Sequence, residues 1–159
     1  MHELDKELHQ RNHRFVRYAD DCSIYVKSSK SAKRVMMSIT RFIETELKLQ
    51  VNKGKSKVSR PNQSTLLGFS FHKNKSEWLI RIAKKSVLRM REKIKTHLKR
   101  TNPSSLSTKF SGLRKVINGW VNYFMLAEGK TILQKLDELT RTRARICQWH
   151  QWKRVRTKI

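Results

Sequence analysis

Two kinds of hydrophobic spacing run along this chain, and the change from one to the other divides it. Residues 3–10 read as a short polar helix. Phe15, Val16, Arg17 and Tyr18 then lead into Ala19-Asp20-Asp21, after which Cys22, Ile24 and Val26 alternate with Ser23, Tyr25 and Lys27. Strand-like segments on both sides of a short acidic turn predict a β-hairpin, and Asp tolerates turn conformations better than most residues. Ala32, Val35, Met36, Ile39, Phe42, Ile43 and Leu47 recur at spacings of three and four, one face of a helix over residues 31–48. Ser29 or Ser31 is placed to cap it. Leu49 and Val51 predict a short strand, and residues 52–55 a loop. Leu66, Leu67 and Phe69 to Phe71 predict a further strand, with Trp78 to Ile82 as its partner across a polar turn at 72–77.

From Lys84 onward the period is helical. Val87, Met90, Ile94 and Leu98 make one stripe, which Asn102-Pro103-Ser104 breaks. Leu106, Phe110, Leu113, Ile117, Trp120, Val121 and Phe124 make a second, and Ile132, Leu133, Leu136, Leu139 and Ile146 a third, with Gly129 as a stop between them. Three helices on short connections suggest a small bundle. The expected fold is therefore α+β: a hairpin, a helix and a second hairpin over residues 1–83, then an all-α three-helix part over 84–159.

Composition narrows the partners. The 159 residues carry 37 Lys and Arg against 12 Asp and Glu, a formal net charge of +25, with a hydrophobic fraction of 37%. Self-repulsion on that scale destabilises a compact chain unless a polyanion neutralises it. Nucleic acid is the obvious polyanion, because Lys and Arg contacts to phosphate release counterions. An anionic membrane surface is the rival. No stretch approaches the roughly 20 apolar residues of a spanning helix, and residues 1–13 lack the apolar run of a signal peptide, so a cytoplasmic location is the expectation.

Cys22 and Cys147 lie far apart and belong to no Cys-x-x-Cys pair, so they are expected to be ordinary buried thiols rather than a zinc site or disulfide. The string His-Gln-Arg-Asn-His at 9–13 is too short to spread nuclease ligands over a hairpin and helix, and reads as a solvated helix end. Asp20 and Asp21 are sharper. Adjacent carboxylates repel each other, and a divalent metal is one reason to keep them, because Mg²⁺ takes one or two carboxylates plus substrate phosphates and two such ions can clamp the oxygens of phosphoryl transfer. Taken without context, Asp-Asp in a turn is more often merely solvated.

The context is informative. Phe-Val-Arg-Tyr-Ala-Asp-Asp at 15–21 resembles the Tyr-x-Asp-Asp hairpin, the fifth sequence block of reverse transcriptases. Val51-Asn52-Lys53-Gly54-Lys55-Ser56 resembles the sixth block of group II intron reverse transcriptases, and Leu67-Gly68-Phe69-Ser70-Phe71 the seventh. Gly119-Trp120-Val121-Asn122-Tyr123-Phe124 resembles a hallmark of the thumb, or maturase-specific domain, and the tail from Arg141 through Gln151-Trp152-Lys153-Arg154 is similar to the end of that domain. The motifs follow the order of the family and cover nearly the whole chain. The resemblance implies a partial reverse-transcriptase palm at 1–83 and a thumb or maturase domain at 84–159.

It also implies roles. Asp20 would touch both Mg²⁺ ions of the palm, with Asp21 as its neighbour. Tyr18 would lie beside the primer terminus and Ala19 under the nucleotide pocket. Asn52 and Lys55 would organise the loop behind the metal site, and Leu67, Gly68 and Phe69 a strand pair gripping the primer. Trp120, Tyr123 and Phe124 share a helix face, as core packing or, less often, as a stacking surface for unpaired bases. The family's first catalytic Asp and its fingers belong to sequence upstream of these blocks. Glu3, Asp5 and Glu7 look like the helix before the hairpin instead. This chain by itself is thus expected to lack polymerase activity, with Mg²⁺ held only if another chain completes the palm. In this family the intron RNA performs the transesterifications, so a maturase needs no catalytic group of its own.

The basic surface does not depend on the palm. Residues 81–100 hold nine Lys or Arg and one acid, Glu92, and no acid lies between Lys48 and Ser76. Lys84, Lys85, Arg89 and Arg91 are candidate RNA contacts. So are Arg141 and Arg145, which share a helix face, and Trp149, Trp152, Lys153 and Arg154, where aromatics interleave with cations. The expected function is binding of group II intron RNA with help to its splicing. The alternatives are a polymerase half that works with a complementing amino-terminal chain, and a remnant of a broken reading frame. A palm without its first strands would also expose a sheet edge and an apolar face.

Overall fold

The computed structural model describes residues 2–75, 77–102 and 104–151. They form five helices and five strands, in the mixture expected of an α+β chain. The chain divides into two compact units, Met1–Arg60 and Pro61–Ile159.

In the first unit, helix α1 (His2–Gln10) buries Leu4 and Leu8. Strands β1 (Arg14–Tyr18) and β2 (Asp21–Tyr25) pair antiparallel from Arg14↔Tyr25 to Tyr18↔Asp21, which leaves Ala19 and Asp20 as a two-residue turn. Helix α2 (Ser29–Thr45) places Ile39 against Leu4 and Leu8. Phe15 and Ile24 from the hairpin, Val35, Phe42 and Ile43 from α2, and Leu47 just after it close over that core. The cap is Ser28, whose hydroxyl accepts from the Ser31 N–H at 3.1 Å, one residue before Ser29 and three before Ser31, the two positions expected from sequence. Residues 49–51 form no strand. The chain leaves α2 through Lys48 at φ +52, and the next segment has no ladder partner, so hydrophobic alternation over three residues did not suffice. Val16 on β1 and Met37 on α2 are exposed.

The second unit contains a three-stranded antiparallel sheet and three helices. Strand β4 (Phe69–Asn74) pairs β5 (Glu77–Ile82) from Phe69↔Ile82 to Asn74↔Glu77. The polar residues 72–74, expected in the turn, therefore belong to the ladder, because exposed strand positions need no apolar side chain. The segment expected as one strand from Leu66 is two. Strand β3 (Thr65–Leu66) pairs Leu66 with Phe69, and Leu67-Gly68 is the tight turn between them. Both turn residues have positive φ, +52 and +83, as a type I′ hairpin turn demands.

Helices α3 (Lys84–His97), α4 (Leu106–Tyr123) and α5 (Lys130–Gln151) appear where the period predicted them. Met90, Ile94 and Leu98 meet Leu113, Leu136 and Cys147 in one core. Ser105 caps α4 by accepting from the Thr108 N–H at 3.2 Å. Gly129 precedes α5 and its carbonyl accepts from Leu133, while α4 ends at Tyr123, so Gly129 marks a start rather than a stop. Between them the Glu128 N–H donates to the Ile80 carbonyl, laying the connection along the edge of β5. The sheet thus packs with the helices. Residue blocks divide this chain near 83, whereas its packing divides it at 60.

Candidate functional site

The hairpin that carries Asp20 and Asp21 is held by an arginine from its own strand. Arg17 donates through Nε to Asp5 Oδ1 at 2.6 Å, through its terminal nitrogen to Asp5 Oδ2, and through its other terminal nitrogen to the Ala19 carbonyl at 2.9 Å. One guanidinium therefore fastens α1 to the turn, in the fork geometry that makes Arg–carboxylate pairs directional. The same hydrogen bonds hold the Asp5 carboxyl below the usual carboxylate range. Asp5 is accordingly committed to Arg17. Sequence reading placed Asp5 on a helix before the hairpin but missed this link. The Asp-x11-Arg spacing was its only trace.

Ala19 sits at φ +50, a left-handed conformation that costs a non-glycine residue about 1–2 kcal/mol. The Arg17 bond to its carbonyl is what the structure offers against that strain. Tyr18, 64% exposed, and Asp20 and Asp21, both exposed, stand around this turn. Cys22 follows on β2 and is exposed, contrary to the expectation of a buried thiol: it shares a face with Ile24 but pairs with Arg17 beside the turn, one register step beyond the Phe15–Ile24 pair that packs on the core. Among the described residues no group of three His, Cys, Asp or Glu is gathered around a point that could hold a metal ion. Two neighbouring carboxylates are a partial donor set, so these residues do not by themselves fit the Mg²⁺ pair of a polymerase.

Asn52 and Lys55 form a local turn. The Asn52 side-chain oxygen and its carbonyl both accept from the Lys55 N–H at 3.1 Å, and the Ser56 N–H adds 2.9 Å to the same carbonyl. Both side chains are exposed. In the second unit, Leu67 and Gly68 form the β3–β4 turn described above rather than a continuous strand. Gly68 is enclosed: a Cβ there would meet Ser86 Oγ at 2.8 Å and Phe124 Cζ at 3.1 Å. Its carbonyl accepts from the Ala83 N–H at 2.8 Å and the Ser86 hydroxyl at 3.2 Å. The aromatic face of α4 packs on this turn. Phe69 lies 5.0 Å from Phe124 and 5.6 Å from Tyr123, and Trp120 lies 4.8 Å from Phe124, between ring centroids. Core packing is the role of Phe124, while half of Tyr123 remains exposed.

The candidate RNA contacts lie on the helices. Lys84, Lys85 and Arg89 are exposed on α3. Arg91 is partly covered, and its Nε is buried without a hydrogen-bond partner among the described residues. On α5, Arg141 pairs with Asp137 at 2.8 Å, an exposed i, i+4 pair of the kind worth about 0.3–0.5 kcal/mol. Arg145 and Trp149 are exposed further along. Trp152, Lys153 and Arg154 lie outside the described residues. Arg143, not among the candidate contacts named from sequence, lies off the face shared by Arg141 and Arg145 and lines a concavity with Lys95, Lys99 and Arg100. Its i, i+2 offset from both neighbours was the available signal. Of the 37 basic residues, 23 belong to the second unit, against 5 acids. No helix among the described residues is long and apolar enough to cross a membrane.

Two family models match. Residues 1–71 match that of the reverse transcriptase (RNA-dependent DNA polymerase), and residues 87–159 that of the group II intron, maturase-specific domain. No curated protein matches the chain.

Proposed function

We propose, from the premise that this chain belongs to the group II intron reverse transcriptase/maturase family, that it binds group II intron RNA and helps that RNA reach its splicing-competent fold. The observation that carries this reading is the excess of cations over acids on the second unit. There, 23 Lys and Arg stand against 5 acids, and residues 87–159, which match the maturase-specific domain, hold 18 of those cations and 4 of those acids. Exposed cations on rigid helices neutralise phosphates without folding first, which lowers the ordering cost of binding. No catalytic group of the protein enters this function.

A titration of the purified chain tests it. Affinity for a group II intron RNA is compared with that for a scrambled RNA of equal length, over several salt concentrations. A preference for the intron that persists as salt rises is the expected result, because counterion release alone is indifferent to sequence. Equal affinities that collapse together with salt would overturn the maturase reading.

A second reading has its own observation. Asp20 and Asp21 stand exposed on a hairpin turn fixed by Arg17, which is where a carboxylate from another chain could join them. Complemented by a chain that carries a further carboxylate and a template grip, this unit would act in RNA-directed DNA synthesis with Mg²⁺. Asp20→Asn would then abolish synthesis in the mixture and leave RNA binding intact. An unchanged synthesis rate would remove Asp20 from the metal site.

A further inference from the structure

The last turn of α3 and the middle of α5 border an open concavity of about 440 Å³ lined by Lys95, Thr96, Lys99, Arg100, Thr101 and Arg143. Four of the six residues are cations and the other two carry hydroxyls. Lys95 pairs with Glu92 at 2.7 Å, an exposed contact that solvent screens. The other three have no carboxylate partner among the described residues.

The end of a helix ordinarily disfavours an anion, because unsatisfied carbonyls concentrate negative charge there. Here several carbonyls at and just past this end are occupied within the fold. Leu98 O accepts from Cys147 Sγ at 3.0 Å, and Lys99 O from the Lys109 ammonium at 3.3 Å and the Asn102 N–H at 3.2 Å. Ile94 O accepts from the Leu98 N–H at 3.0 Å. Lys109 itself is 5% exposed and has no carboxylate partner among the described residues, so an uncompensated cation sits behind the same turn. A charge in low-dielectric surroundings acts over a longer range than one in water. The carbonyls of Ile94, Leu98 and Lys99 are thus engaged within the fold, while the cations line the opening.

We infer that this concavity is a phosphodiester subsite, which takes the backbone phosphates of a structured RNA. Arg100 and Arg143 supply the planar forks that bind phosphate oxygens in pairs, Lys95 and Lys99 supply point charge, and Thr96 and Thr101 supply neutral donors. The inference rests on the RNA-binding reading above and assigns it a place.

The test compares double variants of the full chain in the same salt titration, on the intron RNA and on the scrambled RNA. Lys99→Ala with Arg143→Ala removes two lining cations. Lys33→Ala with Arg34→Ala removes two exposed cations of α2 and serves as the charge-matched control. Thr101→Glu places a carboxylate in the concavity. The lining double variant and Thr101→Glu should each weaken RNA binding about tenfold near physiological salt. The double variant should also flatten the log–log salt slope by about 1–2, the amount expected for one or two lost phosphate contacts. The control should change affinity less than threefold, and circular dichroism should show the same helicity in all. Equal losses in the two double variants, or none in the lining variant, would overturn the subsite even where the parent chain prefers the intron. A parent chain that binds both RNAs equally would overturn the maturase reading, while the comparison of variants would still decide the subsite.

Discussion

The Tyr123 hydroxyl donates to the Leu67 carbonyl at 2.9 Å, across 56 residues of sequence. That bond joins the end of α4 to a β-turn in which Leu67 holds φ +52 and Gly68 φ +83. A leucine rarely adopts such a conformation. The turn persists because its two carbonyls are both engaged, Leu67 by Tyr123 and Gly68 by Ala83 and Ser86. The block that resembles the primer grip and the aromatic block of the thumb are therefore one structural piece.

Tyr123→Phe removes that hydroxyl and keeps the ring against Phe69. It should cost about 0.5–1.5 kcal/mol, the usual worth of one hydrogen bond. Gly68→Ala should cost more, above about 2 kcal/mol, since its Cβ would meet Ser86 Oγ at 2.8 Å at a φ that already disfavours alanine. Urea melts of the two variants decide the order. A Gly68→Ala chain as stable as the parent would show that the turn is not formed.

Acid should weaken the first unit through Asp5. Its carboxyl titrates below its unfolded value because Arg17 hydrogen-bonds the charged form. A depressed carboxylate contributes stability that is complete above its unfolded pKa of about 3.9 and is lost as pH falls through the lower folded value. Asp5→Asn should lower stability at neutral pH and flatten the acid limb of a stability-against-pH curve between pH 5 and about 2. Parallel curves for parent and variant would remove the Asp5–Arg17 pair from the fold.

Thiol labelling should find one reactive cysteine in the folded chain. Cys22 is exposed as a residue, although partial burial pushes its thiol up, so its labelling should quicken as pH rises through 8 and 9. Cys147 is 2% exposed and donates to the Leu98 carbonyl. It should label only after denaturant is added. Two equally fast thiols in the native chain would mean that α5 does not close over α3.

Lys109→Met tests the buried ammonium. The substitution keeps the stem and removes a charge without a carboxylate partner, and such replacements are often neutral or stabilising. Lys99 O retains the Asn102 N–H at 3.2 Å. Thermal melts should therefore show an unchanged or higher midpoint, while RNA affinity falls with the loss of that charge. A midpoint lowered by more than about 5 °C, on the order of 1 kcal/mol for a domain of this size, would make the Lys99 bond the dominant role of this side chain.

Much of this was legible along the chain, for a physical reason. Periods of two and of three to four are properties of consecutive residues, so the hairpin at 14–25 and helices α2 to α5 could be read from spacing, as could the cationic excess on the helical half. Ordered motifs placed the chain in its family on the same grounds. What spacing could not reach depends on partners far away in sequence. Leu67 reads as strand because its neighbours are apolar, yet it sits in a turn whose Leu67 carbonyl is bound by Tyr123 and whose Gly68 is covered by Phe124. Asp5 reads as one more helix acid, and becomes the anchor of the Asp20 hairpin because Arg17 folds back onto it. Cys22 and Cys147 read alike, yet one is exposed beside the hairpin turn and the other lies under α3. Arg143 reads as the odd member between Arg141 and Arg145, and joins Lys99 and Arg100 because the fold brings the middle of α5 to the end of α3. Local pattern set which segments become helix or strand and what charge they carry. The tertiary structure decided which carbonyls are satisfied, which turn is strained and which cations converge, because those depend on contacts between segments that sequence spacing does not record.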